Sequence, residues 1–214
     1  MAARDYGQYC GVTRALELVG ERWALLIVRD LLVGPRRYGE LAAGLPRIPT
    51  NILAARLKEL QAAGIIRRAP RSRIIIYELT PYGRELEPVV LALSAWGFKA
   101  LDEPRDEQVV TPDALTIALR STFLADAAAH LPPTTYAAQF DTVDLRVRVA
   151  GRSLDIAPGT ADEADLAFRA GPGIRRLIAG DIAPEAAVVS REIEVRHGRP
   201  ELLDRFSRTF HVAA

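Results

Sequence analysis

Cysteine is nearly absent from this chain: Cys10 is the only one in 214 residues. That excludes an intrachain disulfide and a zinc cage made of cysteine pairs. Long apolar runs are missing as well, and none reaches the roughly 18 residues that a membrane helix needs. The first residues, MAARDYGQYCG, lack the apolar core of a secretory signal. The three histidines, His130, His197 and His211, are dispersed, without a metal-ligand spacing such as HExxH. The GxSxG, GxGxxG and P-loop patterns do not occur. Gly171-Pro172-Gly173 precedes a helical segment but has no lysine behind it, so it reads as a turn. Asp162, Glu163 and Asp165 read as a solvated acidic loop. These absences predict a cytoplasmic, non-membrane protein that is not an enzyme and needs no metal or cofactor.

What is present is ordinary in bulk and uneven in detail. Hydrophobic residues make up 49% and charged residues 26%, the range of a soluble globular protein. The length suits two domains. Net charge is only +1, yet residues 1–104 hold 15 basic and 11 acidic groups, against 13 and 16 in residues 105–214. Residues 22–73 alone hold 11 basic groups and 3 acidic ones, a net of +8. Such a block is the footprint of a nucleic-acid surface, or else a solvated basic face.

Periodicity orders the first half. VTRALELVGERWALLIVRDLLVG reads as two helical pieces separated by Gly20 and stopped by Gly34. A short helix follows, with Pro35 in its first turn and Tyr38, Leu41 and Leu45 on an apolar edge. PRIP at 46–49 is a turn. The next helix, about 50–63, carries Leu53, Leu57 and Leu60 on one face and ends at Gly64. IIRRAPRSRIIIYEL then reads as two strands, with Pro70 and Ser72 marking the turn. Thr80-Pro81 caps a helix that runs to about Ala100, where Pro88 introduces a kink. The charged segment 101–110 reads as a linker.

The second half reads as α+β. Thr111-Pro112 caps a helix expected to reach about His130. Short strands follow in TYAAQF, VDLRVRV, RSLDIAP and ADLAFRA, then helices at 173–179 and about 184–189, a strand REIEVRH and a final helix from Pro200. Leu145, Val147 and Val149 alternate with Asp144, Arg146 and Arg148, the signature of a half-buried antiparallel strand. The fold class is α+β throughout: a winged helix-turn-helix domain over 1–104, then a domain over 105–214 whose antiparallel sheet has one apolar face under helices.

Two helices joined by a tight turn, with a basic hairpin behind them, form the winged helix-turn-helix pattern. The second helix must enter a major groove about 12 Å wide. Its outer face carries Thr50, Asn51, Ala54, Ala55 and Lys58. The alanines let the backbone come close to DNA and suit a thymine methyl. Asn51 suits an adenine edge, and Lys58 a guanine or a phosphate. Arg36 and Arg37 open the preceding helix, where they meet phosphates together with free backbone N–H groups. Arg71, Ser72 and Arg73 form a wing tip suited to a minor groove or its phosphates. Arg56, Arg67 and Arg68 are as well placed for surface salt bridges as for DNA.

The stretches RALELVGERWALLIVRDLL, GPRRYGEL, LAARLKELQAAGII and YELTPYGREL make residues 10–97 resemble the HxlR-type branch of bacterial MarR-like transcription regulators. The resemblance implies a homodimer joined through the first helix and the helix at 82–100. It implies binding of double-stranded DNA, at an inverted repeat, through the helix at 50–63 and the wing. Two departures stand out: Pro49 occupies a position where the family often has a capping serine, and the wing is short. Cys10 lies where family members often carry a cysteine, some of them redox sensors. A thiol at a helix N-terminus reacts more readily as thiolate, or is simply an inert small residue.

The segment from Val143 to Phe210 is similar, with looser motifs, to the sterol carrier protein-like fold. That resemblance implies an apolar tunnel that takes a small-molecule effector. Leu115, Leu119, Phe123, Tyr136, Phe140 and Phe168 are the candidate lining, or else a filled core. The whole reads as a dimeric DNA-binding repressor with a sensing domain. The competing readings are a lipid carrier whose winged helix serves dimerisation, and a redox-sensing regulator acting through Cys10.

Overall fold

A computed structural model describes residues 5–102, 104–105, 107–171 and 173–212. Glu103 and Asp106 of the expected linker, and Pro172 of the expected turn, lie outside the described residues. The chain divides into two compact units, Met1–Val90 and Leu91–Ala214.

The first unit begins with α1 (Gly11–Val19) and α2 (Ala24–Val33), parted at Gly20 as the pattern predicts. α2 buries Ile27, Val28, Leu31 and Leu32, a continuous apolar flank that fixes it as the centre of this unit. α3 (Tyr38–Gly44) starts later than expected, and Pro35 is not in its first turn. Arg36 instead pairs with Tyr77 in an antiparallel bridge, N–H to carbonyl in both directions at 3.0 and 2.8 Å. Two backbone hydrogen bonds to the hairpin hold Arg36 extended, which delays the helix by two residues.

α4 (Thr50–Ala62) buries Leu53, Leu57 and Leu60, the three leucines spaced for one face. Gly64 follows with φ +69, a left-handed turn that a side chain would strain, and releases the chain into β1 (Ile66–Arg71). β2 (Ile74–Leu79) pairs with β1 antiparallel, from Ile66 opposite Leu79 to Arg71 opposite Ile74. Pro70 is thus inside the strand, opposite Ile75, and the turn is only Ser72 and Arg73, with Ser72 at φ +55. β1 is an edge strand, where proline can sit without costing a ladder bond.

Thr80 caps α5 (Pro81–Arg84) by accepting from the Gly83 N–H at 3.0 Å. The expected kink at Pro88 is a full break. Its ring excludes the carbonyl four residues back, so α5 stops at Arg84 and α6 (Glu87–Phe98) begins afresh.

In the second unit Thr111 caps α7 (Pro112–Thr122) by accepting from the Ala114 N–H. α7 does not reach His130. Phe123 is extended, because its segment bridges to Phe210: Leu124 N–H donates to Thr209 and His211 N–H to Thr122, both at 2.8 Å. A single turn, α8 (Ala125–Ala128), follows. The sheet comprises β3 (Thr134–Phe140), β4 (Val143–Ala150), β5 (Ser153–Pro158), β6 (Leu166–Ala170) and β7 (Ile193–Gly198), in the order β5-β4-β3-β6-β7. The expected antiparallel sheet carries one parallel pair, β3 with β6, so it is mixed. Leu145, Val147 and Val149 are buried as their alternation predicts. α9 (Gly173–Ala179), α10 (Pro184–Val189) and α11 (Leu202–Thr209) supply Leu177, Ala187, Leu203 and Phe206 to the core against that face. Among the described residues no helix is long and apolar enough to cross a membrane, and no cluster of three metal-ligating side chains occurs.

Candidate nucleic-acid interface

The residues expected to approach DNA sit on α3, α4 and the β1–β2 hairpin. On α4, Thr50, Asn51, Ala54 and Lys58 are exposed and Ala55 is half-buried. Asn51, Ala54 and Lys58 recur at helical spacing, so they form one stripe opposite the buried leucines. Gln61 continues that stripe. It was not among the expected residues, although the same three- and four-residue spacing points to it.

The start of α4 answers the question raised by Pro49. Pro49 is itself the N-cap, with φ −64 and ψ 141, and offers no side-chain acceptor. Its carbonyl accepts from Ile52 and Leu53 at 3.0 and 2.9 Å. From α3 the Tyr38 hydroxyl donates to the Thr50 carbonyl at 2.9 Å. Tyr38 thus ties α3 to the first turn of α4, a positioning contact that sequence patterning assigned only to an apolar edge.

Arg37 is the N-cap of α3 and is exposed; its N–H donates to the Glu40 carboxylate at 2.6 Å. Arg36 is half-buried, and its guanidinium folds back to the Pro35 carbonyl at 3.1 Å. At the hairpin, Ser72 stands at the turn between Arg71 and Arg73, all three exposed. Glu78 on β2 takes Arg67 at 2.7 Å and reaches Arg71 at 3.6 Å.

Arg56 is placed differently from its neighbours. Its side chain is only 12% exposed and is held between Glu59, one turn on, and Glu21 at 3.4 Å. Those carboxylates join α4 to the turn between α1 and α2, and they leave Arg56 facing inward. Of the two readings the sequence allowed, the salt bridge is the one observed. Among the described residues, Arg37, Lys58, Arg68 and Arg73 form no salt bridge. The surface therefore carries uncommitted cations at the start of α3, on the α4 stripe and on the hairpin.

Cys10 is fully exposed at the N-cap of α1. The Thr13 N–H, then the Val12 N–H and the Thr13 hydroxyl, favour its thiolate and hold the thiol below its ordinary value. In the second unit the candidate lining residues do come together, but as packing. Leu119, Tyr136, Phe140 and Phe168 are buried, and Leu115 and Phe123 pack at the margin. Phe206 meets Tyr136 and Phe168 edge-on at 5.2 and 5.3 Å and lies 4.5 Å from Phe210. These two aromatics of α11 and its C-cap were missed, since nothing local signals that they fill this space. Burial raises the Tyr136 hydroxyl to about 12.

The HxlR-like helix-turn-helix family matches residues 18–105. The chain is 36% identical over 92 residues to the HTH-type transcriptional regulator YvaP of Bacillus subtilis, covering 42% of this chain and 85% of YvaP. The chain belongs to the HxlR-like helix-turn-helix family. It is also 45% identical over 96 residues to the HTH-type transcriptional regulator Rv3095 of Mycobacterium tuberculosis, covering 44% of this chain. The match spans 60% of that relative's length. Among solved structures, it is similar to the redox regulator HypR in its oxidized form, at 32% identity and a TM-score of 0.42, over 44% of this chain and 99% of HypR. The HxlR-like match ends at residue 105, so most of the second unit lies beyond it.

Proposed function

We propose that this chain is a transcription regulator of the HxlR type, working in the cytoplasm as a homodimer that binds an inverted repeat in double-stranded DNA and represses transcription. The observation that carries the reading is the exposed face of α4. It is low and uncharged at Asn51 and Ala54, ends in the uncommitted Lys58, and is accompanied by Arg37 and the Arg71–Ser72–Arg73 tip. A helix face of this kind lets bases approach while the flanking cations hold phosphates. The names of the relatives, HTH-type transcriptional regulators, agree with it. Thr50 and Ala55 complete the base-facing turn, Arg36 supports it through its bridge to Tyr77, and Arg56 positions α4 without touching DNA.

The dimer is supported by apolar residues left in solvent. Val12 and Leu16 stand one turn apart on α1; Val89, Leu93 and Trp96 form a stripe on α6, with Trp96 74% exposed. We assign residues 1–104 to DNA binding and dimerisation. We assign 105–214 to sensing, in a sterol carrier protein-like domain. Titrating the protein with labelled duplexes from upstream of its own reading frame tests the central reading. Asn51→Ala is expected to level the affinities of matched and mismatched duplexes. Tight binding of an apolar probe without salt-sensitive DNA binding would favour a carrier instead.

A second reading concerns only the signal. The exposed Cys10, whose thiolate is favoured at the N-cap of α1, suits a redox-responsive regulator. A Cys10→Ser variant that releases DNA on oxidation just as the parent does would remove it.

A further inference from the structure

The geometry points to a second binding site, within residues 91–214, for a small organic oxyanion that also carries a hydrogen-bond donor. This site is separate from the DNA-binding reading and does not depend on it. A cavity of about 470 Å³ opens where β6 ends and where α9 and β7 begin. Its walls include Arg169, Gly173, Arg176, Arg191, Glu192 and Glu194.

Three arginines therefore line one hollow. Arg176 is committed, donating to Glu192 at 2.6 Å, and the Ser190 hydroxyl donates to the same carboxylate at 3.2 Å. The other charges are not committed. Arg169 and Glu194 stand directly opposite across β6 and β7, where opposite charges ordinarily pair. Yet neither they nor Arg191 form a salt bridge among the described residues. Arg191 also holds φ +62, a left-handed conformation uncommon for a long side chain. At Gly173 the backbone comes close to Glu192, since a Cβ there would stand 2.6 Å from the Glu192 Cβ.

Two free guanidinium groups in a concave wall form a fork for a carboxylate or a phosphate, each able to bind bidentately. The free Glu194 carboxylate accepts from a hydroxyl or an ammonium on the same ligand. The volume falls in the range of small-molecule sites and exceeds what a bare inorganic anion fills. The shared chemistry is that of a hydroxy acid or a sugar phosphate.

Calorimetric titration of the whole chain at low ionic strength tests this, with citrate and glucose 6-phosphate as probes and sodium chloride of equal ionic strength as blank. One probe is expected to bind at one equivalent per chain, and which one does so tells carboxylate from phosphate. Arg169→Ala and Arg191→Gly are each expected to weaken it by about tenfold or more, the loss of one charge-assisted contact. Both side chains are exposed, and glycine suits the backbone at 191, so both variants keep the fold. Arg199→Ala, exposed and outside the hollow, is expected to bind like the parent. Heats no larger than the chloride blank for both probes would overturn the site, as would equal weakening by all three variants.

Discussion

Arg73 is the sharpest probe of the DNA reading, because it is exposed at the hairpin turn and bonded to nothing else in the described chain. If it meets a phosphate, Arg73→Ala removes one neutralised phosphate per protomer, two per dimer. Each such contact contributes about 0.9 to the slope of log affinity against log salt, so the dimer loses about 1.8 from that slope. Between 50 and 200 mM salt, the ratio of parent to variant affinity then narrows by about 12-fold, which is 4 raised to 1.8. The loss should be the same on every duplex, because a phosphate carries no sequence. Arg71→Ala should show a smaller change, since Glu78 at 3.6 Å already holds part of its charge. Arg56→Met, which empties an inward salt bridge, should leave the slope alone. Fluorescence anisotropy with one labelled duplex across five salt concentrations measures all three slopes. The interface would be wrong if Arg73→Ala kept the parental slope, or if Arg56→Met reduced it instead.

Three further outcomes follow from the same residues. Phe206→Ala should destabilise the second unit by about 3–5 kcal/mol, the usual cost of emptying a buried aromatic, read as a lowered melting transition with DNA affinity preserved. Trp96→Glu should shift the protein from dimer to monomer in sedimentation velocity while leaving circular dichroism unchanged, because the ring lies 74% in solvent. For Cys10 the sign is that of a lowered thiol: thiolate is present at lower pH than in an unstructured peptide. Its alkylation rate should therefore reach half-maximum at lower pH than a model thiol, and a coincident profile would refute the effect.

Several features were legible because they are local. The spacing of Leu53, Leu57 and Leu60 fixed the buried face of α4 and hence its outer face. The alternation at Leu145, Val147 and Val149 fixed the inward side of β4. Thr80 and Thr111 announced the two caps that are observed. What escaped depends on partners distant in the chain. Arg36 leaves α3 because Tyr77 offers it a bridge. Arg56 turns inward because Glu21 lies across from its helix. α7 stops at Thr122 because Phe123 pairs with Phe210, and the parallel pairing of β3 with β6 spans two intervening strands. None of these contacts alters a period or a propensity within its own window, so no pattern of neighbours could reveal them.

Pro49 shows how a local rule can be broken without cost to the site. A serine N-cap is worth about 1 kcal/mol through its bond to the first turn, and α4 forgoes it. Proline at a compatible position returns about 0.4–1 kcal/mol by restricting the unfolded chain, and its φ of −64 is the value its ring prefers. The two terms nearly cancel, so stability does not choose between them. The difference lies at the surface. A capping serine would bond to the first-turn N–H groups, whereas Pro49 leaves no side-chain acceptor there, and the Tyr38 hydroxyl secures the turn from the α3 side through the Thr50 carbonyl. The N-terminal amides beside Thr50 and Asn51 are thus left without a competing side chain. A phosphate arriving at the end of α4 would meet donors that no residue of its own cap has claimed.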